Sequence, residues 1–347
     1  MTKFKEALTY DDMLLVPQYS DIESRKEVEI GNSLDDNIHL KLPIISSPMD
    51  TVTEAKMAIA LGKSGGLGIV HRYNTVDKQC KMVEAAYQEL SKYFSAPVVG
   101  AAVGVTKDYW QRAGALVNSG ATVLCVDVAH GHHILVERAI KTLRDAFGAS
   151  VHIMAGNVAT SEGFNQLSEW GADSVRCNVG GGSICSTRIE TGHGVPGLHT
   201  ILECAKSRSS KTKIIADGGI RYAGDIVKAF AAGADLVMLG SILAGTDESP
   251  GDIVIGAMNT KEKIYRGMAS KEAQFNWKGA FSSNEGISAR VSYKGPLQNV
   301  LADLKNGVAS GLSYSGARTI RELQKNARFV RQTKASQIES TTHILRK

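Results

Sequence analysis

The sequence predicts a single (β/α)8 barrel, and two features of the chain lead to that prediction. Short apolar runs recur along the chain and start near residues 43, 67, 97, 122, 151, 173, 212 and 234. Runs that are apolar throughout are typical of parallel strands covered by helices. Three of them follow a helix-like stretch through a Gly-Ala pair, and glycine suits a left-handed helix cap. The repeated helix–Gly-Ala–strand unit favours an eight-stranded α/β barrel.

A doubly wound open sheet is the alternative fold. It would need a phosphate-gripping glycine turn early in the chain, and the loop after the first run, SSPMDT, has none. Residues 192–197 match G-x-G-x-x-G, but they follow no apolar run, open no clean helical pattern and contain Pro196. We therefore expect a loop there, not a dinucleotide fingerprint.

We expect one catalytic domain that spans residues 1–347. The barrel occupies about residues 41–245 and follows an N-terminal extension. Residues 246–296 are rich in Gly, Ser and Asn and form a flap after the eighth strand, which is a candidate lid. Residues 297–347 hold closing helices, to about residue 333, and a basic tail. No stretch resembles a linker or leaves room for an inserted regulatory domain.

Composition excludes several classes of protein. Of the 347 residues, 43% are apolar and 22% are charged, which excludes a disordered chain. The net charge of +5 comes from the last thirty residues, where eight Lys and Arg face two Glu, so it does not predict nucleic-acid binding. No apolar run is long enough to span a membrane and no secretory signal is present, so we expect a cytoplasmic protein.

Barrel chemistry belongs to the carboxyl ends of the strands. Gly218-Gly219 and Gly240-Ser241 follow the seventh and eighth runs, where barrels hold phosphate on backbone N–H groups. A phosphorylated ligand is therefore predicted from the residues alone. The alternative is that these glycines only permit tight turns.

Cys185 is the candidate nucleophile, because it lies in a glycine loop after the sixth run and beside Arg188, which could activate a thiol. We expect the other cysteines to be inert thiols in strands or helices: Cys80, Cys125, Cys177 and Cys204. An odd number of cysteines without a CxxC pair argues against disulfides and zinc. The histidines 130, 132 and 133 are interpreted as a loop cluster, since no acidic partner has metal-ligand spacing.

Several ordered motifs resemble one family. GGGSICSTR, TGHGVP, IIADGGIR, VMLGSILAGTDESPG and YRGMAS are similar to those of the inosine monophosphate dehydrogenase and GMP reductase family. The resemblance covers nearly the whole chain. It implies a (β/α)8 barrel, usually a homotetramer, that binds a purine ribonucleotide such as GMP or IMP and a nicotinamide cofactor. It also implies a cysteine that bonds covalently to purine C2.

The resemblance assigns roles residue by residue. The catalytic group would be Cys185 as nucleophile, Thr187 as its proton relay, and Glu285 as the glutamate that contacts the base. The substrate-binding residues would be Ser183, Asp217, Gly218, Gly219, Gly240, Ser241, Tyr265, Gly267, Met268 and Ala269. Arg72, Asp127 and Asn157 would lie on the cofactor side. Carbonyls of Gly180, Gly182 and Cys185 resemble a potassium site.

The family contains two chemistries, and two features favour the NADPH-dependent reductase, which converts GMP to IMP and ammonia. Only sixteen residues separate Met268 from Glu285, and they include neither Arg nor Tyr, so the Arg-Tyr pair of the dehydrogenase flap is missing. The stretch between His71 and Pro97 is also too short for the dehydrogenase's regulatory domains. The alternative is a short IMP dehydrogenase that uses Lys278 or Arg290 as the base.

Three departures from the family pattern stand beside the resemblance. Gly181 replaces the usual Pro, Asn178 replaces a Gly, and Ser282 replaces an Arg that reductases often have. The last change keeps open a third possibility, a nucleotide-binding protein without turnover. Arg72 and Lys107 could meet a 2′-phosphate or be ordinary surface charges. The basic tail could approach a neighbouring subunit or be a solvated helix.

Overall fold

Eight parallel strands close into a barrel in a computed structural model that describes residues 5–280 and 284–342. Each strand pairs with the next in chain order, and Val237 on the last pairs with Ile44 on the first. The predicted fold class is therefore confirmed. The barrel strands are β4 (Ile44–Ser46), β5 (Leu67–Val70), β6 (Gly100–Val103), β7 (Val123–Asp127), β8 (His152–Val158), β9 (Ser174–Cys177), β10 (Lys213–Asp217) and β11 (Leu236–Leu239).

Helices follow the strands on the outside of the barrel: α1 (Ala55–Lys63), α2 (Val76–Leu90), α3 (Tyr109–Asn118), α4 (Ile134–Phe147), α5 (Ser161–Glu169), α6 (Thr187–Thr191), α7 (Gly197–Ser207) and α8 (Ala223–Ala231). The G-x-G-x-x-G stretch differs from expectation, because Gly197 is the first residue of α7. It connects two helices and follows no strand, so it still lacks the setting of a dinucleotide fingerprint. No helix in the described part of the chain could cross a membrane.

The barrel interior is a packed core, closed at one end by a hairpin from the N-terminal extension. Ile45, Ile69 and Met154 are fully buried among the inward-facing side chains. β2 (Asn32–Ser33) and β3 (His39–Leu40) pair as this hairpin, and their neighbourhood adds Leu34 and Leu40 to the same cluster. The hairpin lies at the amino ends of the strands, where a barrel is stabilised, and leaves the carboxyl ends for chemistry.

The chain ends pack against each other. β1 (Met13–Leu15) pairs antiparallel with β15 (Phe329–Arg331) after two helices, α10 (Leu297–Tyr314) and α11 (Ile320–Asn326). The prediction of helices as far as residue 333 is therefore wrong for its last part, where a β-prone Phe-Val pair completes a two-stranded sheet. α12 (Lys334–Glu339) lies in the tail.

Two basic residues near the C-terminus have partners within this chain. The Arg318 guanidinium lies 2.9 Å from Asp21, and that of Arg331 lies 2.6 Å from Glu6. Part of the positive excess is therefore neutralised by the N-terminal extension. The tail's last five residues lie outside the described ranges.

The segment after β11 is more regular than its composition suggests. β12 (Val254–Ile255), β13 (Lys261–Arg266) and β14 (Ser288–Ser292) form an antiparallel sheet, and α9 (Lys271–Lys278) lies between the last two. The irregular flap expected from the sequence is therefore corrected to a small sheet with a helix. Alternating residues of β13 are buried, as period-2 patterning requires.

Candidate active site

A cavity of about 400 Å³ opens at the carboxyl ends of the barrel strands. Its wall includes every residue to which the family resemblance assigns a role: Cys185, Thr187 and Glu285, the ten substrate-side residues, the three cofactor-side residues, and Gly180 and Gly182. It also includes residues without a predicted role, among them Tyr73, Arg176 and Asn178. The structure thus brings the predicted set together around one space.

A hydrogen-bonded chain runs away from Cys185. The thiol Sγ lies 3.1 Å from Thr187 Oγ1, and that hydroxyl donates to Glu285 Oε2 at 2.9 Å. A thiol, a hydroxyl and a carboxylate in this order can pass a proton in either direction. Cys185 is half-buried, so its sulfur is accessible from the cavity.

The flap holds the cysteine loop in place. Ser186 donates its backbone N–H to the Glu285 carbonyl at 3.2 Å and its hydroxyl to the Asn284 carbonyl at 2.8 Å. The Ile287 N–H donates to the Ile184 carbonyl at 3.0 Å. The nucleophile loop and the glutamate therefore form one hydrogen-bonded unit, although 98 residues separate Thr187 from Glu285 along the chain.

The hydrogen bonds of the Arg188 guanidinium go to backbone carbonyls, and not to the Cys185 thiol that the sequence placed beside it. The guanidinium donates to the carbonyl of Val195 at 2.7 Å, which anchors the loop that precedes α7. The partner of the Cys185 thiol is the Thr187 hydroxyl. The sequence offered a nearby cation, and the fold instead supplies a hydroxyl linked to a carboxylate.

A buried arginine joins the two predicted carboxylates of the site. Arg176 Nη1 lies 2.6 Å from Asp127 Oδ1, and its Nε donates to Asp217 Oδ2 at 3.0 Å. Asn157 Nδ2 donates to the same Asp217 oxygen at 2.8 Å. Burial pushes the pKa of Asp127 upward, but Arg176 and Arg72 outweigh it, so this pKa lies below its ordinary value. An ion-paired line thus runs along the cavity, from the predicted cofactor side to the predicted substrate side.

Sequence reasoning missed Arg176, although a signal was present. The residue lies in the middle of β9, in an otherwise apolar run, and only 7% of it is exposed. A charged side chain inside a barrel strand must have a buried partner. Aspartates at the ends of neighbouring strands were the available partners, since carboxyl ends of parallel strands meet at one rim.

The glycine loops after β10 and β11 have the backbone that phosphate binding needs. Gly218 and Gly219 have φ angles of +81° and +75°, which other residues rarely adopt. A Cβ on Gly240 would lie 2.7 Å from the Tyr265 hydroxyl, so a side chain there would have to displace that hydroxyl. The Tyr265 hydroxyl interacts with Ser183, and burial raises the pKa of Tyr265 to about 12, so it stays a neutral donor.

Arg72 and Asp127 occupy the opposite side of the cavity. Arg72 Nη2 donates to the Asp127 carbonyl at 3.1 Å, and the Tyr73 ring stacks on Trp277 of α9 with centroids 4.4 Å apart. This side therefore combines charged groups with an aromatic wall, which suits a nicotinamide dinucleotide.

The remaining predicted groups lie elsewhere. The Arg290 guanidinium is 3.7 Å from Glu262 in the flap sheet, and neither Arg290 nor Lys278 lines the cavity. No group of three or more His, Cys, Asp and Glu side chains among the described residues could hold a metal ion. Burial raises the pKa of Cys125 to about 12, as expected of an inert thiol. Ser282 lies outside the described residues.

Two departures from the family pattern are structurally linked. Asn178 Nδ2 donates to the Asp217 carbonyl at 2.7 Å, so its carboxamide lies under the glycine loop. A Cβ on Gly181 would lie 2.5 Å from Asn178 Oδ1. The Asn178 side chain therefore occupies the space that a side chain at position 181 would need.

We expect Gly181→Ala to lower kcat/KM by about tenfold or more, because displacing the loop by a fraction of an ångström misplaces Cys185. Gly181→Ala combined with Asn178→Gly should regain most of that loss, since the second change removes the clash. Steady-state kinetics on both variants measures this, with Gly114→Ala on α3 as the control, where an added Cβ meets nothing within 4 Å. A double variant no better than the single one would contradict the linkage.

Comparison with known proteins identifies the family. A family model described as IMP dehydrogenase / GMP reductase domain matches residues 7–343. The inosine-5'-monophosphate dehydrogenase of Nitrosopumilus maritimus is 35% identical, over 98% of this chain and 99% of that protein. The GMP reductase of Leishmania major is 33% identical, over 99% and 98%.

A solved structure is equally similar. The crystal structure of a cysteine-to-alanine variant of GMP reductase from Trypanosoma brucei, in complex with guanosine 5'-monophosphate, superposes with a TM-score of 0.91. The two sequences are 33% identical, and the superposition covers 98% of each chain.

Some of these relatives are named IMP dehydrogenase and others GMP reductase, and chain length does not distinguish the two groups. The alignments with the Nitrosopumilus dehydrogenase and the Leishmania reductase extend over 475 and 481 positions, and both exceed the 347 residues of this chain. The short stretch between β5 and β6 therefore carries less weight for a reductase than the sequence suggested. What the comparisons establish is that the chain belongs to the IMP dehydrogenase / GMP reductase family of oxidoreductases, which use nicotinamide cofactors.

Proposed function

We propose that this protein is a GMP reductase, which converts GMP to IMP and ammonia with NADPH. One observation carries the proposal: an intact Cys185–Thr187–Glu285 chain beside a flap whose sixteen residues after Met268 contain neither Arg nor Tyr. A dehydrogenase must activate water to hydrolyse its covalent intermediate. Without a base for that water, hydrolysis loses about 10²–10⁴-fold in rate.

The first step uses the cysteine and its proton relay. The Cys185 sulfur attacks C2 of guanine, a C–S bond forms, and the bond from C2 to the amino nitrogen breaks. The thiol proton passes through Thr187 and Glu285 to the leaving nitrogen, which departs as ammonia. A purine bonded to sulfur at C2 remains, and no water is consumed.

The second step needs a hydride, which NADPH supplies when bound. With a hydride delivered to C2, the C–S bond would break, IMP would leave, and Cys185 would return as the thiolate. Asp127, Asn157 and Arg72 would hold the dinucleotide, and they fit the role because they line the same cavity as Cys185.

The nucleotide would lie across the opposite half of the cavity. Backbone N–H groups of the glycine loops and the Ser183, Ser241 and Tyr265 hydroxyls would hold its phosphate. Asp217 would accept both ribose hydroxyls, and its position is fixed by Arg176 and Asn157. Backbone groups of Gly267, Met268 and Ala269, on the flap, would face the base.

We also propose a potassium ion on the carbonyls of Gly180, Gly182 and Cys185. Backbone carbonyls suit a monovalent cation. The Gly182 carbonyl accepts the Cys185 N–H at 3.1 Å and keeps a second lone pair for an ion. A homotetramer and a cytoplasmic location complete the proposal, as the family resemblance and the sequence predict them.

The decisive experiment mixes the protein with GMP and NADPH and follows the absorbance of NADPH. IMP and ammonia are assayed as products. We expect stoichiometric loss of NADPH and formation of IMP. Formation of XMP from IMP and NAD, without NADPH oxidation by GMP, would instead assign the dehydrogenase. Nucleotide binding with no turnover under either pair would refute both enzymatic assignments.

A further inference from the structure

Three cations lie near one another beside the cavity: Arg72 lines its wall, and the charges of Arg72 and Lys107 both act on Lys278. Arg72 follows β5, Lys107 lies in the loop after β6, and Lys278 is the last residue of α9. In the closed strand order, β6 lies opposite β10, whose glycine loop would hold the nucleotide's phosphate. A second anion site here would therefore be distinct from the first.

Aromatic contacts hold the flap at this point. The Arg72 guanidinium lies 5.4 Å from the Tyr73 ring centroid, the Tyr73 and Trp277 rings stack with an interplanar angle of 18°, and Lys278 Nζ lies 4.5 Å from the Trp277 centroid. This stack fixes Lys278 near Arg72. A flexible surface lysine without such contacts would avoid another cation.

The neighbouring carboxylates are already engaged. Asp127 pairs with Arg176 at 2.6 Å and with Arg72 of the cluster at 3.6 Å, and Asp108, beside Lys107, pairs with Arg112 at 3.0 Å. Among the ion pairs of the described residues, none includes Lys107 or Lys278. The cluster therefore has more positive than negative charge.

The crowding has an electrostatic consequence. Partial burial, followed by the charges of Arg72 and Lys107, lowers the pKa of Lys278. The backbone of Lys107 also has a φ of +59°, in the left-handed region that favours glycine. Three like charges at one place repel one another, and an anion bound between them would relieve that repulsion.

We propose that Arg72, Lys107 and Lys278 bind a phosphate group of the dinucleotide, and this inference rests on the proposed function. Arg72 links the cluster to the cavity, because it lines the cavity wall with Asp127 and Asn157 on the predicted nicotinamide side. A dinucleotide whose nicotinamide lies beside Cys185 would extend past Arg72 to the rim. Two groups of the dinucleotide carry the negative phosphate oxygens that such a cluster would bind: the 2′-phosphate and the pyrophosphate.

The test compares Lys107→Gln, Lys278→Gln and the double variant with Lys81→Gln, an exposed lysine on α2. We expect the double variant to raise the KM for NADPH by about tenfold or more, with the KM for GMP unchanged, because charge-assisted hydrogen bonds to phosphate are lost. A rise for NADPH but not NADH assigns the 2′-phosphate, and a rise for both assigns the pyrophosphate. An unchanged KM for both dinucleotides, or a rise only for GMP, overturns the inference.

A binding arm keeps this inference separate from the proposed function. Calorimetric titration with NADP⁺ and NAD⁺ needs no turnover and no assumption about the reaction. Failure of the proposed function would appear as wild-type protein that makes no IMP from GMP. Failure of the inference would appear as a double variant that binds both dinucleotides as tightly as the wild type.

Discussion

Cys185→Ala is expected to lower turnover by about 10⁴-fold or more, the order lost when the nucleophile of a covalent mechanism is removed. The proposed reaction requires a C–S bond at purine C2, and the Thr187 hydroxyl cannot replace the sulfur, because it is committed to Glu285 at 2.9 Å. Affinity for GMP should change little, since the phosphate and ribose contacts involve other residues. Stopped-flow measurement of NADPH oxidation and calorimetry with GMP check the two parts separately.

Cys80→Ala is the matched control, because Cys80 is a partly exposed thiol on α2, outside the cavity. It should retain wild-type kinetics and nucleotide affinity. If Cys185→Ala kept its activity, both the reductase and the dehydrogenase mechanisms would fail, because each requires the thiolate. Loss of GMP binding together with turnover would instead indicate that the cysteine loop had lost its structure.

The order of the barrel strands could be predicted from the sequence because each strand is an apolar run and each connection is local. Predicted starts agree with observed ones to within three residues, and the largest difference is at Pro97, where strand β6 begins at Gly100. Proline has no N–H to donate to the ladder, so the apolar run is longer than the strand. The candidates at strand ends, such as Cys185 and the glycine loops, were found for a related reason, whereas flap residues such as Tyr265 and Glu285 came only from the family resemblance.

Long-range pairing explains what the sequence did not reveal. In the flap sheet, Tyr265 pairs with Ala289, and β15 pairs with β1, which lies at the other end of the sequence. A local sequence pattern cannot predict which strand a given strand pairs with over such distances. The link between Asn178 and Gly181 depends on where one side chain points. Arg188 is the clearest failure, because adjacency in sequence suggested a contact with Cys185 that the loop geometry does not make.

Arg176→Met should destabilise the fold by about 3–5 kcal/mol at neutral pH, because it removes the guanidinium that pairs with both carboxylates and leaves Asp127 only its longer pair with Arg72, at 3.6 Å. Asp127 and Asp217 have side chains only 19% and 11% exposed, so solvation compensates for only part of the lost ion pairing. Urea unfolding of both proteins measures the difference. Lys141→Met, which breaks an exposed pair with Glu137, is the control and should cost about 0.5 kcal/mol or less.

The pH dependence of this difference tests its electrostatic origin. In the wild type the folded-state pKa of Asp127 lies below its unfolded value, so its contribution to stability is present above the unfolded pKa and is lost as pH falls through the folded one. In Arg176→Met only Arg72 remains of the two cations that lower this pKa, so burial carries more weight and shifts the balance toward the protonated carboxyl. The gap between the two proteins should therefore be widest near neutral pH and narrow as the solution approaches about pH 4. A gap that stayed constant across this range would indicate that the loss comes from packing of the arginine side chain, not from its charge.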